Sequence, residues 1–147
     1  MLFGGDLLAR IGASDYRIGG EGDITNRGTG QLVSYPVLDI EKLGLGLKEY
    51  VHLLEEAIIG TVAHWGIVGE RSEGATGVWL PADVRGPLRK ISAIGVRSSR
   101  FVTMHGFSLN VNPQMEYFTY INPCGFTDRG VTSMAKEMGE KVPVEEV

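Results

Sequence analysis

The longest helical pattern in this chain runs from about residue 47 to residue 65, and it constrains the fold more than any other feature. Leu47, Val51, Leu54, Ile58, Val62 and Trp65 recur at three- or four-residue intervals, with Lys48, His52, Glu55 and Glu56 between them. That is the spacing of one apolar helix face. Gly66 follows at once, and a glycine there is a ready helix stop. Most of what remains reads as β. Residues 90–97 include the buried-strand run Ala93-Ile94-Gly95-Val96, residues 77–80 form a short strand, and residues 101–104 form another. Residues 107–112 alternate with period two, as a half-buried strand does. Residues 31–39 also suit a strand, with Pro36 marking an edge or a bulge. Leu7, Leu8 and Ile11 have helical spacing in an amphipathic lead, residues 114–120 suit one helical turn, and the charged tail from Lys136 to Val147 is expected to fray.

At 147 residues the chain is expected to be a single domain, with no repeats and no dividing linker. A formal net charge of -4 argues against general nucleic-acid binding, which needs a basic excess to displace counterions. No run of about 18 apolar residues is present, so no membrane span is expected. The first residues lack the basic-then-apolar order of a secretory signal. One cysteine excludes an intrachain disulfide and suits a reducing compartment. The expected location is cytoplasmic.

That cysteine, Cys124, sits in Pro123-Cys124-Gly125, a sharply turned setting that can present a thiol. A lone cysteine is more often a small buried hydrophobe. As a nucleophile it needs a nearby cation or base, because a free thiol ionises only near pH 8.5. Lys90 is the candidate cation, since it opens the apolar run Lys90-Ile91-Ser92-Ala93-Ile94-Gly95; the alternative is a strand-end lysine reaching water. His105, in Met104-His105-Gly106, is either a base or, more often for such a residue, a hydrogen-bonded turn histidine between two strands. His52 and His64 fall on the helix without a second ligand at metal spacing, so no metal site is expected. Six of the 21 glycines lie between Gly12 and Gly30. Gly20-Glu21-Gly22 and Gly28-Thr29-Gly30 each begin like a dinucleotide fingerprint, but neither completes it.

Several segments, in order, resemble the lipoyl(octanoyl) transferase family. Residues 20–31 follow its glycine-rich motif, Arg-Gly-Gly-x-x-Thr-Tyr-His-Gly-Pro-Gly-Gln, and Leu32-Val33-Ser34-Tyr35-Pro36 follows as its hydrophobic strand. Thr76-Gly77-Val78-Trp79, Arg89-Lys90-Ile91-Ser92-Ala93-Ile94-Gly95-Val96-Arg97 and Thr103-Met104-His105-Gly106-Phe107 match further on. So do Leu109-Asn110-Val111-Asn112, Asn122-Pro123-Cys124-Gly125 and Gly130-Val131-Thr132-Ser133. The resemblance covers roughly residues 15 to 138.

The resemblance implies an α/β (α+β) fold, a mixed sheet with flanking helices like that of the biotin and lipoate protein ligases. It implies an acyltransferase that moves an octanoyl or lipoyl group from the phosphopantetheine of acyl carrier protein to a lysine. The acceptors would be the lipoyl domains of 2-oxoacid dehydrogenases and the glycine cleavage H protein. No bound cofactor is implied. Cys124 takes the role of acyl-thioester nucleophile and Lys90 that of the cation favouring its thiolate, with His105 in support. Acyl and thioester contacts pass to Gly20, Glu21, Gly22, Asp23, Ile24, Thr25, Asn26 and Arg27, to Ala93, Ile94 and Gly95, and to Gly106, Phe107 and Ser108. The motif departs from the family at Gly20, Asn26, Arg27 and Thr29, where arginine, tyrosine, histidine and proline are usual. Arg27 cannot serve as a neutral base. Family members also carry a further strand and helix at the N-terminus, so a partial catalytic domain is expected. A non-catalytic relic that still binds carrier or lipoyl domain is the alternative. An ATP-dependent lipoate ligase ranks lower, because adenylating ligases use no cysteine nucleophile, and a cysteine hydrolase lower still.

Overall fold

The structure, a computed structural model, describes residues 28–113 and 130–147. The expected amphipathic lead, the greater part of the glycine-rich stretch and the helical turn at 114–120 lie outside the described residues. Within them the order is β1 (Gln31–Ser34), α1 (Leu47–His64), β2 (Glu70–Ser72), β3 (Ala75–Leu80), β4 (Arg89–Ser99), β5 (Val102–Asn110), β6 (Gly130–Val131) and α2 (Met134–Met138), then a 3-10 turn at Val144–Glu146. The strands form one sheet in the order β1-β5-β4-β3-β2, with β6 on β4. Every pairing along that path is antiparallel, whereas β6 runs parallel to β4. The sheet is mixed and flanked by helices, which bears out the expected α+β class.

The periodic helix forms where its spacing predicts. Its Ile58 and Val62 enter a cluster with Ile67, Val78, Leu80, Ile91, Ile94, Leu109, Val111, Met134 and Val142. At its start the Glu49 carboxylate accepts from the Gly46 amide at 2.6 Å, which satisfies one of the amides a helix N-terminus exposes. At its end Gly66 is left-handed (φ 80°). The Gly66 amide donates to the Ala63 carbonyl and the Ile67 amide to the Val62 carbonyl. This is the Schellman arrangement, and it satisfies carbonyls the helix leaves over. Glu55 is buried on the same helix, held by Arg71 Nε at 2.9 Å, and accepts from the Gly77 amide at 3.2 Å.

Three expectations are corrected. The strand expected over residues 31–39 runs continuously only as far as Ser34. Beyond Pro36 the chain rejoins the start of β5 through an antiparallel bridge, Asp39↔Val102, with the Thr103 amide donating to the Leu38 carbonyl and the Ile40 amide to the Phe101 carbonyl. The buried Thr103 hydroxyl donates to the Pro36 carbonyl and accepts from the Leu38 amide. Residues 101–104 and 107–112 are not two strands about a turn at His105. They are largely one strand, β5, paired with β4 from Ser92↔Leu109 to Ser99↔Val102. The reversal lies at Arg100 and Phe101, both left-handed (φ 51° and 64°), as a two-residue hairpin turn requires. Third, the tail does not fray as a unit. Ser133 caps α2 by accepting from the Lys136 amide, Gly139 closes it left-handed, and Val142 is buried with both backbone groups bonded to Asn112. No helix among the described residues is long and apolar enough to cross a membrane.

Candidate active site

The β4–β5 ladder brings two motifs that are apart in sequence into direct register. Ala93 faces Ser108, Ile94 faces Phe107, and Gly95 faces Gly106. Directly opposed residues share a face, and neighbours along a strand alternate. Ile94 and Phe107 turn into the apolar cluster. Ala93, Gly95, Gly106 and Ser108 therefore occupy the other face, where the side chains are small or absent. Among the described residues nothing lies within 4 Å of where a Gly95 Cβ would stand. Gly106 differs: a Cβ there would meet the Ser34 carbonyl oxygen at 2.0 Å. This glycine lets β1 approach β5 closely. Gly106→Ala is accordingly expected to destabilise the fold by about 1–3 kcal/mol, while Gly95→Ala stays within about 0.5 kcal/mol. Urea unfolding of the two variants measures that difference.

Lys90 is the second residue of β4. It pairs with Trp79 of β3 and, across the parallel ladder, with Val131 of β6. Its Nζ lies 4.7 Å from the centroid of the Trp79 ring. It is half-buried. A cation over an indole face is held by the ring quadrupole for about 0.5–2 kcal/mol. The lysine thus neither vanishes into the core nor simply trails into water.

Beside it, Arg89 anchors a buried ionic cluster that sequence reading missed. Arg89 Nε donates to Glu137 Oε1 at 2.7 Å and Nη2 to Glu137 Oε2 at 2.9 Å, a two-pronged pairing. Asp83 Oδ1 and Oδ2 accept from the same guanidinium at 3.1 and 3.3 Å. The Thr132 hydroxyl donates to Glu137 Oε1 at 2.6 Å, and Arg85 Nη1 reaches Oε2 at 3.3 Å. The side chains of Arg89 and Glu137 are 4% and 3% exposed. The Arg89 guanidinium is the first cause holding the Glu137 carboxyl down at about 2, opposed by burial and aided by Thr132. Hydrogen bonding to Glu137 in turn raises Arg89. A hint was present in Arg89 preceding an apolar strand. Its partner, 48 positions away in the charged tail, gave none.

A second polar chain joins motif ends. The Gly28 amide donates to Gln31 Oε1, Gln31 Nε2 to Asn110 Oδ1, and Asn110 Nδ2 to the Thr132 carbonyl, at 2.8, 2.8 and 3.0 Å. The Thr132 amide donates to the Lys90 carbonyl at 2.9 Å. The described end of the glycine-rich motif, the Leu109-Asn110 motif and the chain following Cys124 therefore converge on the strand end that carries Lys90. Cys124 itself, with Gly20, Glu21, Gly22, Asp23, Ile24, Thr25, Asn26 and Arg27, lies outside the described residues. His105 is half-buried within β5, opposite Val96, and left-handed (φ 63°). It is thus a strand residue rather than a turn residue. His52 and His64 lie on the exposed side of α1.

Residues 6–147 match the model of the lipoyl protein ligase A/B catalytic domain. The chain belongs to this family. The octanoyltransferase of Bacteroides fragilis (strain YCH46) is 58% identical over 147 residues, covering all of this chain and 66% of that protein. The octanoyltransferase of Bacteroides thetaiotaomicron is 56% identical over 147 residues and 64% of its own length. That of Flavobacterium psychrophilum is 54% identical over 142 residues, which is 95% of this chain and 60% of that protein. The chain thus spans 66% or less of the length of these relatives. The family resemblance read from the motifs is borne out.

Proposed function

We propose that this chain carries the acyl-handling site of an octanoyltransferase acting in protein lipoylation. The observation that carries the reading is the convergence on Lys90. Val131 pairs with Lys90 in β6, and Cys124 precedes Gly130 by six positions, a chain reach of no more than about 22 Å. The relatives' shared name, octanoyltransferase, supports the same reaction.

The chemistry proceeds in two balanced steps. The Cys124 thiolate, favoured by the Lys90 ammonium, attacks the octanoyl thioester on the phosphopantetheine of acyl carrier protein. An enzyme thioester forms and the carrier thiol leaves with a proton. A lysine amine of a lipoyl domain, from a 2-oxoacid dehydrogenase or the glycine cleavage H protein, then attacks that thioester. The amide forms and the Cys124 thiol returns. Ala93 and the open Gly95 offer a sheet surface along which an acyl chain can lie, beside the buried Gly106 and Ser108, with Ile94 and Phe107 behind it in the core. Neither step calls for a resident cofactor.

The test offers two donors to the chain together with an unmodified lipoyl domain. Octanoyl-carrier protein should yield octanoylated domain without ATP, whereas octanoate with ATP should yield none. Product from octanoate and ATP alone would make the chain a ligase. Carrier or lipoyl-domain binding without product from either donor would make it the non-catalytic relic.

A further inference from the structure

We propose that Arg89 and Glu137 are positioning residues for the transfer reaction, clamping the chain that leaves Cys124 against the strand that carries Lys90. The inference rests on the roles proposed above for Cys124 and Lys90, and it concerns residues that touch neither the acyl group nor the thiol.

β6 runs parallel to β4 at the strand end that carries Lys90. Among the described residues Arg89↔Gly130 and Lys90↔Val131 pair, with the Gly130 amide donating to the Leu88 carbonyl and the Thr132 amide to the Lys90 carbonyl. A slip of one residue in this pairing would turn side chains to the opposite face. What surrounds the ladder is the ionic cluster. Arg89 projects from β4, Glu137 from α2 just beyond β6, and Thr132 from the link between β6 and α2. The Glu137 carboxylate accepts from both, and Asp83 and Arg85 close the cluster from the loop before β4. Elements carrying Lys90 and following Cys124 are thereby pinned at one point, one residue from Lys90.

Hydrophobic residues of the same volume would hold these elements together at no lower stability, because desolvation offsets most of a buried ion pair's attraction. A two-pronged guanidinium–carboxylate pairing adds direction, which apolar packing lacks. Fixing register is the best-attested use of such buried polar groups. Here the register fixed is that between the proposed cation and the chain six residues after the proposed nucleophile.

The test follows the rate of iodoacetamide alkylation of Cys124, the single cysteine, against pH. The wild-type midpoint should lie below the value of about 8.5 for a free thiol. In Glu137→Gln it should rise by half a unit or more, a drop of about threefold in thiolate at neutral pH. Glu137→Asp, which keeps the charge on a shorter arm, should fall between the two. Thr132→Val removes one bond to the carboxylate and should move the midpoint the same way by less. It carries the test if Glu137→Gln does not fold. A folded Glu137→Gln, or failing that Thr132→Val, with the wild-type midpoint overturns the clamp and leaves a structural cluster only. A wild-type midpoint near 8.5 that Lys90→Met does not move overturns the cation–thiol pairing itself, and the clamp with it.

Discussion

Cys124→Ser is expected to lower octanoyl transfer from carrier protein to lipoyl domain by at least about a thousandfold, since removing a nucleophile removes the covalent path entirely. A serine hydroxyl is no substitute, because a neighbouring ammonium does not bring it near ionisation at neutral pH. Lys90→Met should be milder and should depend on pH. A cation beside a thiol favours the charged form, so its loss returns the thiol toward about 8.5 and leaves a few per cent as thiolate at pH 7. Transfer at pH 7 should then drop by up to about 30-fold and recover as the pH rises past 8.5. The check is the ratio of variant to wild-type rate between pH 6 and 9.5. A ratio that does not change with pH would mean that Lys90 serves something other than thiol ionisation.

Arg89→Met should destabilise the fold by about 3–5 kcal/mol at pH 7, the cost of leaving a buried charge without its partner. Glu137 would keep only Thr132 and the exposed Arg85. The cost should also depend on pH. The folded-state pKa of Glu137, held at about 2 by the Arg89 guanidinium, lies below the ordinary glutamate value of 4.5. Its stabilising contribution is therefore complete above about pH 4.5 and is lost as the pH falls through that value toward 2. The difference corresponds to on the order of 3 kcal/mol. Asp83 is lowered as well, first by its hydrogen bond to Arg89, and acts in the same direction. Urea unfolding of wild type and Arg89→Met at pH 7, 5 and 3 should show the gap narrowing as Glu137 protonates. An equal gap at all three would mean that lost packing, not the ion pair, sets the cost.

Local signals in the sequence were legible where the physics is local. The run from Leu47 to Trp65 showed its helix through spacing alone, and Gly66 showed its end. The β4–β5 hairpin was misread because its turn residues, Arg100 and Phe101, lack the glycine, asparagine or aspartate that usually adopts left-handed backbone. His105-Gly106 offered a more turn-like pair, yet that glycine answers to the close approach of Ser34. The tail looked unstructured because Glu137 is a surface residue until Arg89, distant in sequence, is placed beside it. Lys90 stood out as a cation opening an apolar strand. Nothing in its spacing paired it with position 124, and nothing paired Ala93, Ile94 and Gly95 with Gly106, Phe107 and Ser108. Those associations came from motif resemblance, and the strand register brings the second set together residue by residue.

The most direct test of the proposed covalent route is intact-mass measurement after mixing the chain with octanoyl-carrier protein and no acceptor. One octanoyl group should appear on Cys124, disappear when a lipoyl domain is added, and be absent from Cys124→Ser. Octanoylated lipoyl domain formed while Cys124 never carries the acyl group would contradict it.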